Sequence, residues 1–262
     1  LGVDRGPCPE GAVDLSASSA SYSSGLRQWV RSRVSPRGLV WLRCVTRGLP
    51  WPRGGNLRRL EPFSSRFGFD RGTPIDRYYL HEFLEQHRHL ITGRVLEIQM
   101  PAYTRRYGQG VTAAHSVDIV AGTHEGLTYL VDLGRSESVI PDATYDCVLL
   151  PNTLCVLRDI DACLRHALRV VRPGGVVLAT TAGIGPLTGD GHDLWRMGAD
   201  GWRVLTERVW PACDVRVEQR GNCLAAVAAM LGLALEELGD DELRFQDPRY
   251  PVLVTLACRK PS

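Results

Sequence analysis

At 262 residues the chain has room for one generous α/β core with an appendage, or for two small domains. It is 44% hydrophobic and 23% charged and has no apolar run near eighteen residues, which excludes a long spanning helix and sets the expectation of a soluble, cytoplasmic protein without a leader. The net charge of +2 is close to balance but unevenly spread, because Ser16 to Leu60 holds nine arginines and no acidic residue.

Residues 1–25 are rich in Ser, Ala, Gly and Pro and include the uncharged run Leu15 to Gly25, so they read as a flexible tail that cannot order itself unaided. Residues 26–65 read as a basic amphipathic arm. Its arginines are mixed with Leu, Val and the aromatics Trp29, Trp41 and Trp51, while Pro36, Pro50 and Pro52 interrupt any long helix. Such an arm either packs on its own core or docks, through residues 26–60, on an acidic partner subunit or an anionic substrate. No groove-reading motif accompanies the charge, so nucleic acid is not expected.

Residues 66–262 show regular α/β alternation. Thr73-Pro-Ile-Asp76 offers an N-cap, a proline at the first helical position and an acid in the first turn, predicting a helix from Pro74 to about Leu90. Its apolar positions Ile75, Tyr79, Leu80, Phe83 and Leu84 recur at three and four, which gives one buried face. Strands are predicted at Arg94–Ile98, within Val111–Val120, at Thr128–Val131, Asp146–Leu150 and Val176–Thr181, with a helix from Ala162 to Val171 stopped by Arg172-Pro-Gly-Gly175. Two more, Asp214–Gln219 and Val252–Cys258, flank a predicted helix Leu224–Leu238. Strands alternating with helices, without two-residue hairpin turns, imply a doubly wound, mostly parallel sheet.

Three segments in this order are characteristic together: Arg94-Val-Leu-Glu-Ile98 at the first strand, Ile140-Pro-Asp-Ala-Thr-Tyr-Asp146 entering the fourth, and the turn Leu168-Arg-Val-Val-Arg-Pro-Gly-Gly175. They resemble the class I S-adenosylmethionine-dependent methyltransferases. The segment Arg66-Phe-Gly-Phe-Asp-Arg-Gly-Thr-Pro-Ile-Asp-Arg-Tyr-Tyr79, with Tyr103-Thr-Arg-Arg106, Asp193-Leu-Trp-Arg196 and Asp247-Pro-Arg-Tyr-Pro251, is similar to a methyltransferase-like group found beside glycosyltransferases and in bacterial natural-product pathways. The resemblance implies a Rossmann-like seven-stranded sheet whose last strand is antiparallel, with the cofactor across the carboxyl ends of the strands.

The cofactor positions that the resemblance assigns are Glu97 and Gln99 at the end of the first strand, His115 on the second and Asp132 after the third. The family ends its first strand in Glu/Asp-x-Gly-x-Gly so that the backbone can turn tightly against the methionine part of the ligand. Here the text is Glu97-Ile-Gln99-Met100-Pro101, without a glycine. His115 falls where the family has the carboxylate that holds the ribose hydroxyls, with Asp118 as its replacement under a shifted register. No bound cofactor is therefore expected, or S-adenosylmethionine if the family's ordinary chemistry persists.

On the acceptor side the resemblance brings Asp70, Arg71, Asp76, Arg77 and Tyr78 toward Asp193, Trp195 and Arg196, and Asn152, after the fourth strand, is placed to face the crevice. Carboxylates of this set can take a proton from an amine or hydroxyl, and the arginines can grip an anionic group of a small-molecule substrate. Mutual Asp–Arg pairing as a structural latch is the competing reading. No metal is expected: in His81-Glu-Phe-Leu-Glu-Gln-His87-Arg-His89 the second histidine falls six residues on, not four, and Gly189-Asp-Gly-His-Asp193 has no partner spacing. None of the eight cysteines stands in a C-x-x-C pair. Three readings remain open: a tailoring enzyme of secondary-metabolite or glycan assembly that displaces an anionic leaving group, as in aziridine-type ring closure with sulfate or phosphate loss; an O- or N-methyltransferase; and a non-catalytic subunit of a biosynthetic complex.

Overall fold

The computed structural model describes residues 55–122, 125–187 and 193–262, together with 33–34 and 45–46. The expected tail, most of the arm, and the stretch from Gly189 to His192 lie outside the described residues. Two compact units, Leu1–Arg59 and Leu60–Ser262, divide the chain, and the second carries the sheet.

Seven strands form one sheet in the order β3-β2-β1-β4-β5-β7-β6. They are β1 Gly93–Ile98, β2 Val111–Asp118, β3 Tyr129–Leu130, β4 Tyr145–Leu150, β5 Val171–Ala182, β6 Asp214–Arg220 and β7 Leu253–Arg259. Strands β1 to β5 are parallel, and β7 runs antiparallel to both neighbours, as the family resemblance implied. The order reverses between β1 and β4, so the crevice for a ligand opens where Gln99 and Asn152 leave those strands.

The helices are α1 Ile75–Gln86, α2 Ala102–Tyr107, α3 Ile160–Val170, α4 Ala199–Val209, α5 Cys223–Met230 and α6 Asp240–Arg244. Successive strand residues point to opposite faces, and this sorts the core into two clusters. Val95, Cys147, Leu149 and Leu178 pack with α1 and α5. Leu96, Val148, Leu150 and Val177 pack with α3 and α4 on the other face. The predicted face of α1 is the buried one: Ile75, Tyr79, Leu80, Phe83 and Leu84 are at most 2% exposed, and each such side chain contributes about 1.5–3 kcal/mol. Tyr79 also donates its hydroxyl to the Leu243 carbonyl at 3.1 Å, which anchors α1 to α6. Among the described residues, no helix is long and apolar enough to cross a membrane.

Local departures from the sequence reading have physical causes. Thr73 does not cap α1: Pro74 holds the N-cap position, and the Thr73 hydroxyl donates instead to Glu236 at 2.7 Å. The helix expected over 224–238 stops at Met230, because Gly232 turns with φ +67° and a Cβ there would lie 2.2 Å from the Ser64 carbonyl oxygen. A short 3-10 turn, Leu235–Glu237, and α6 complete that segment. Strand β5 begins directly after α3 at Val171 and accommodates the Pro-Gly-Gly turn as a register irregularity.

Candidate active site

Asn152 leaves β4 in the left-handed region, with φ +48°. Its side-chain oxygen accepts from the Thr180 hydroxyl at 3.0 Å, and its backbone N–H donates to the same hydroxyl at 2.8 Å. The amide nitrogen is thereby turned outward and donates to Asp76 Oδ2 at 2.5 Å. Arg77 also reaches Asp76 Oδ2, at 3.0 Å. Among the described residues both contacts fall on Oδ2, which leaves Oδ1 available to a ligand.

These groups edge a cavity of about 240 Å³ whose remaining wall is mostly apolar, with Phe67, Phe69, Ile75, Ile184 and Val252 among its lining. Asp193 and Arg196 line it too, but as a closed pair. Arg196 donates to both carboxylate oxygens, at 3.2 and 2.7 Å, and to the carbonyls of Gly185 and Pro186 at 3.0 and 2.9 Å. With the Asp193 side chain only 2% exposed, this pair holds the chain that follows β5.

The other expected acceptor-side residues are elsewhere. Asp70 accepts from the Ser64 hydroxyl, which holds its carboxyl below the ordinary aspartate range. Arg71 forms a forked pair with Glu237, and that bond depresses the Glu237 carboxyl to about 2. Tyr78 stands edge-on to Tyr79, and Trp195 donates its ring N–H to the Leu157 carbonyl at 2.6 Å. The expected cluster therefore splits. Asp76, Arg77, Asn152, Asp193 and Arg196 share the cavity, whereas Asp70, Arg71, Tyr78 and Trp195 are not among its lining.

The positions assigned to the cofactor are committed locally. Glu97, 1% exposed, accepts from the Tyr103 and Thr104 N–H groups at 3.0 and 2.8 Å and from the Thr104 hydroxyl at 2.7 Å, so it caps α2. Burial lifts its carboxyl above the ordinary glutamate range against the pull of those bonds. Asp132 accepts from the Gly134 N–H at 2.9 Å and caps the short turn after β3. His115 lies within β2, opposite Leu96, with Nδ1 2.8 Å from the Tyr145 hydroxyl. The register pairs Ile98 with Val117, which sets Asp118, not His115, beside Gln99 at the strand ends. Asp118 Oδ1 accepts from the N–H groups of Ile119 and Val120 at 2.7 and 3.2 Å.

S-Adenosylmethionine fits this set only in part. Gln99 takes φ +62°, a turn conformation that glycine adopts without strain, so the backbone shape of the family survives. Its side chain nevertheless occupies a position the family leaves bare, and Pro101, which has no N–H, stands at the second glycine site. The turn therefore departs from the family's at both glycine positions that face the methionine part of the ligand.

No local pattern marks Thr180, an ordinary strand residue whose link to Asn152 exists only in three dimensions, or sets Phe67 and Phe69 apart as residues of the cavity. The His81 ring, the first of the discounted metal pattern, has Nδ1 2.5 Å from the Tyr107 hydroxyl, and His87 Nδ1 lies 2.9 Å from the Phe83 carbonyl. Among the described residues no group of three or more His, Cys, Asp or Glu could hold a metal ion.

Residues 104–179 match a family described as a methyltransferase domain. None of the curated proteins matches the chain. A SAM-dependent methyltransferase from Archaeoglobus fulgidus is 14% identical with a TM-score of 0.48, covering 70% of this chain and 94% of its own. An S-adenosylmethionine-dependent methyltransferase from Mesorhizobium loti is 14% identical with a TM-score of 0.48, covering 71% and 100% respectively. The [4+2]-cyclase SpnF is 15% identical with a TM-score of 0.47, covering 85% and 92%.

Proposed function

For this chain of the class I methyltransferase fold, we propose an enzyme that works in the acceptor-side cavity without S-adenosylmethionine, on a small molecule carrying an amine or hydroxyl and an anionic leaving group. The observation that supports it is the placement of Asp76: held at Oδ2 by Asn152 and Arg77, it keeps Oδ1 for a substrate proton, beside a guanidinium with donors to spare. In the reaction the nitrogen or oxygen lone pair attacks the neighbouring carbon and the new bond closes a small ring. The C–O bond to sulfate or phosphate breaks, and its electron pair leaves with the anion, which Arg77 receives. The proton of the attacking group passes to Asp76. Biosynthetic tailoring in the cytoplasm is the setting this reading carries with it, and a protein partner for residues 26–60 belongs to the same proposal.

A panel of 2-aminoalkyl and 2-hydroxyalkyl sulfate and phosphate esters, with release of the free anion as the readout, tests this reading. Release by the wild type that falls at least a hundredfold in Asp76→Asn supports it. Wild-type rates in Asp76→Asn, or no release from any ester, would overturn it.

A second reading, methyl transfer to the same amine or hydroxyl, is favoured by one observation: the β1–β2 register places Asp118 at the strand end, where an acid could meet ribose hydroxyls. Incorporation of labelled methyl into an acceptor would establish it.

A further inference from the structure

The segment that carries Phe67 and Phe69 is cinched against the chain after α5. The N–H of Phe63 donates to the Leu231 carbonyl at 2.8 Å and that of Leu235 to the Thr73 carbonyl at 2.7 Å. Between these ends, the Ser64 hydroxyl accepts from the N–H groups of Arg66 and Gly68, at 3.0 and 3.2 Å, while it donates to Asp70. Gly68, with φ +89°, lies so close that a Cβ would come within 2.8 Å of the Leu233 carbonyl oxygen. Phe67 itself takes φ +58°, a conformation that bulky side chains almost never adopt. This strap fixes one aromatic ring in the cavity wall and holds a second, Phe69, 56% exposed beside it. The Arg77 guanidinium carbon lies 6.0 Å from the centre of the Phe69 ring.

More than half of the Phe69 ring, on a strap that backbone bonds hold in place, is left uncovered by its own fold. Facing an apolar cavity, it offers a flat surface to a ligand, and the arginine beside it marks where negative charge would sit. We infer that the cavity selects a planar aromatic substrate, its ring lying against Phe67 and Phe69 and its anionic substituent directed at Arg77. This inference rests on the proposed use of the acceptor-side cavity and adds the class of substrate to it.

Calorimetric titration of the full chain with three probes tests it: 2-naphthoate, planar and anionic; its saturated decalin counterpart; and neutral 2-naphthol. We expect naphthoate to bind about tenfold more tightly than the decalin acid, the scale of two aromatic contacts. Phe67→Leu should remove most of that preference, and Phe69→Leu, on an exposed side chain, tests the same point without threatening the fold. Arg77→Gln should weaken naphthoate about tenfold and leave naphthol unchanged. A decalin acid bound as tightly as naphthoate, naphthoate affinity unchanged in both phenylalanine variants, or no binding of either naphthyl compound would overturn the inference. Asp76→Asn separates the two claims: aromatic binding kept without ester release in any protein sinks the proposed reaction and leaves the aromatic site standing.

Discussion

The hydroxyl of Thr180 donates to the side-chain oxygen of Asn152 at 3.0 Å and accepts its backbone N–H at 2.8 Å, so a strand residue 1% exposed sets which end of the amide faces Asp76. Replacing it with valine keeps the shape and removes both bonds. Thr180→Val should lose about 1–3 kcal/mol of stability, the cost of leaving buried polar groups unpaired. Turnover should fall about tenfold with KM little changed, since the amide is then free to rotate away from the carboxylate. Thermal unfolding and steady-state kinetics on the same variant check both parts.

Gly232 tests the strap. At φ +67° a side chain is strained, and a Cβ would meet the Ser64 carbonyl oxygen at 2.2 Å. Gly126, at φ +82° with nothing within 4 Å, isolates the strain alone. Gly126→Ala should cost about 1 kcal/mol, and Gly232→Ala clearly more, because backbone must shift as well. Denaturant midpoints for the two variants compare them directly.

Asp193 and Asp76 look equivalent in sequence, each one to three residues before an arginine, yet their surroundings differ, and the proposed function gives them different work. The Asp193 side chain is 2% exposed and fully engaged by Arg196, itself 22% exposed. Asp193→Asn should destabilise by about 2–3 kcal/mol, under the range for a fully buried pair because the arginine keeps some solvent. Asp76, 27% exposed, should lose less than about 1 kcal/mol as Asn. Unfolding curves that rank the two variants the other way would reverse the assignment of latch and base.

Acid should weaken the fold through two histidines. Burial holds both His81 and His115 below the ordinary value of 6.5, so the unfolded chain takes up their protons first. Their contribution is complete above pH 6.5 and is lost as pH falls through the folded values. Glu97 acts in the opposite sense: raised by burial from 4.5, its contribution is present below that value and is lost as pH rises through the folded one. Relative to a chain without the two histidines, the wild type should lose melting temperature between pH 7 and pH 5.5. A combined His81→Gln, His115→Gln variant should flatten that drop.

Much of this architecture was legible in the residues themselves. The period of α1 named its buried face from Ile75 to Leu84, and the strands were located to within a few residues because alternation between helical and extended runs is written locally. The register of β2 was not. A strand slides along its neighbour without changing its own pattern, so His115 and Asp118 could be told apart only once Ile98 was seen opposite Val117. The site was legible as a set of residue types and not as a set of partners. Asp70 and Arg71 carry the same chemistry as Asp76 and Arg77, but Ser64 and Glu237, one of them far along the chain, draw them away. Gly232 explains the shortened helix after Asn222 through a contact with Ser64 that no local propensity encodes.

If the methyltransferase fold is kept here with a turn that has lost its ligand, as the proposed function requires, calorimetric titration of the full chain with S-adenosylmethionine will read it. Gln99 and Pro101 in the turn, with Asp118 and Glu97 already engaged by backbone N–H groups, predict a Kd no tighter than about 1 mM. Gln99→Gly together with Pro101→Gly should bring binding back into a measurable range. A wild-type Kd in the low micromolar range would show that the turn still serves the cofactor.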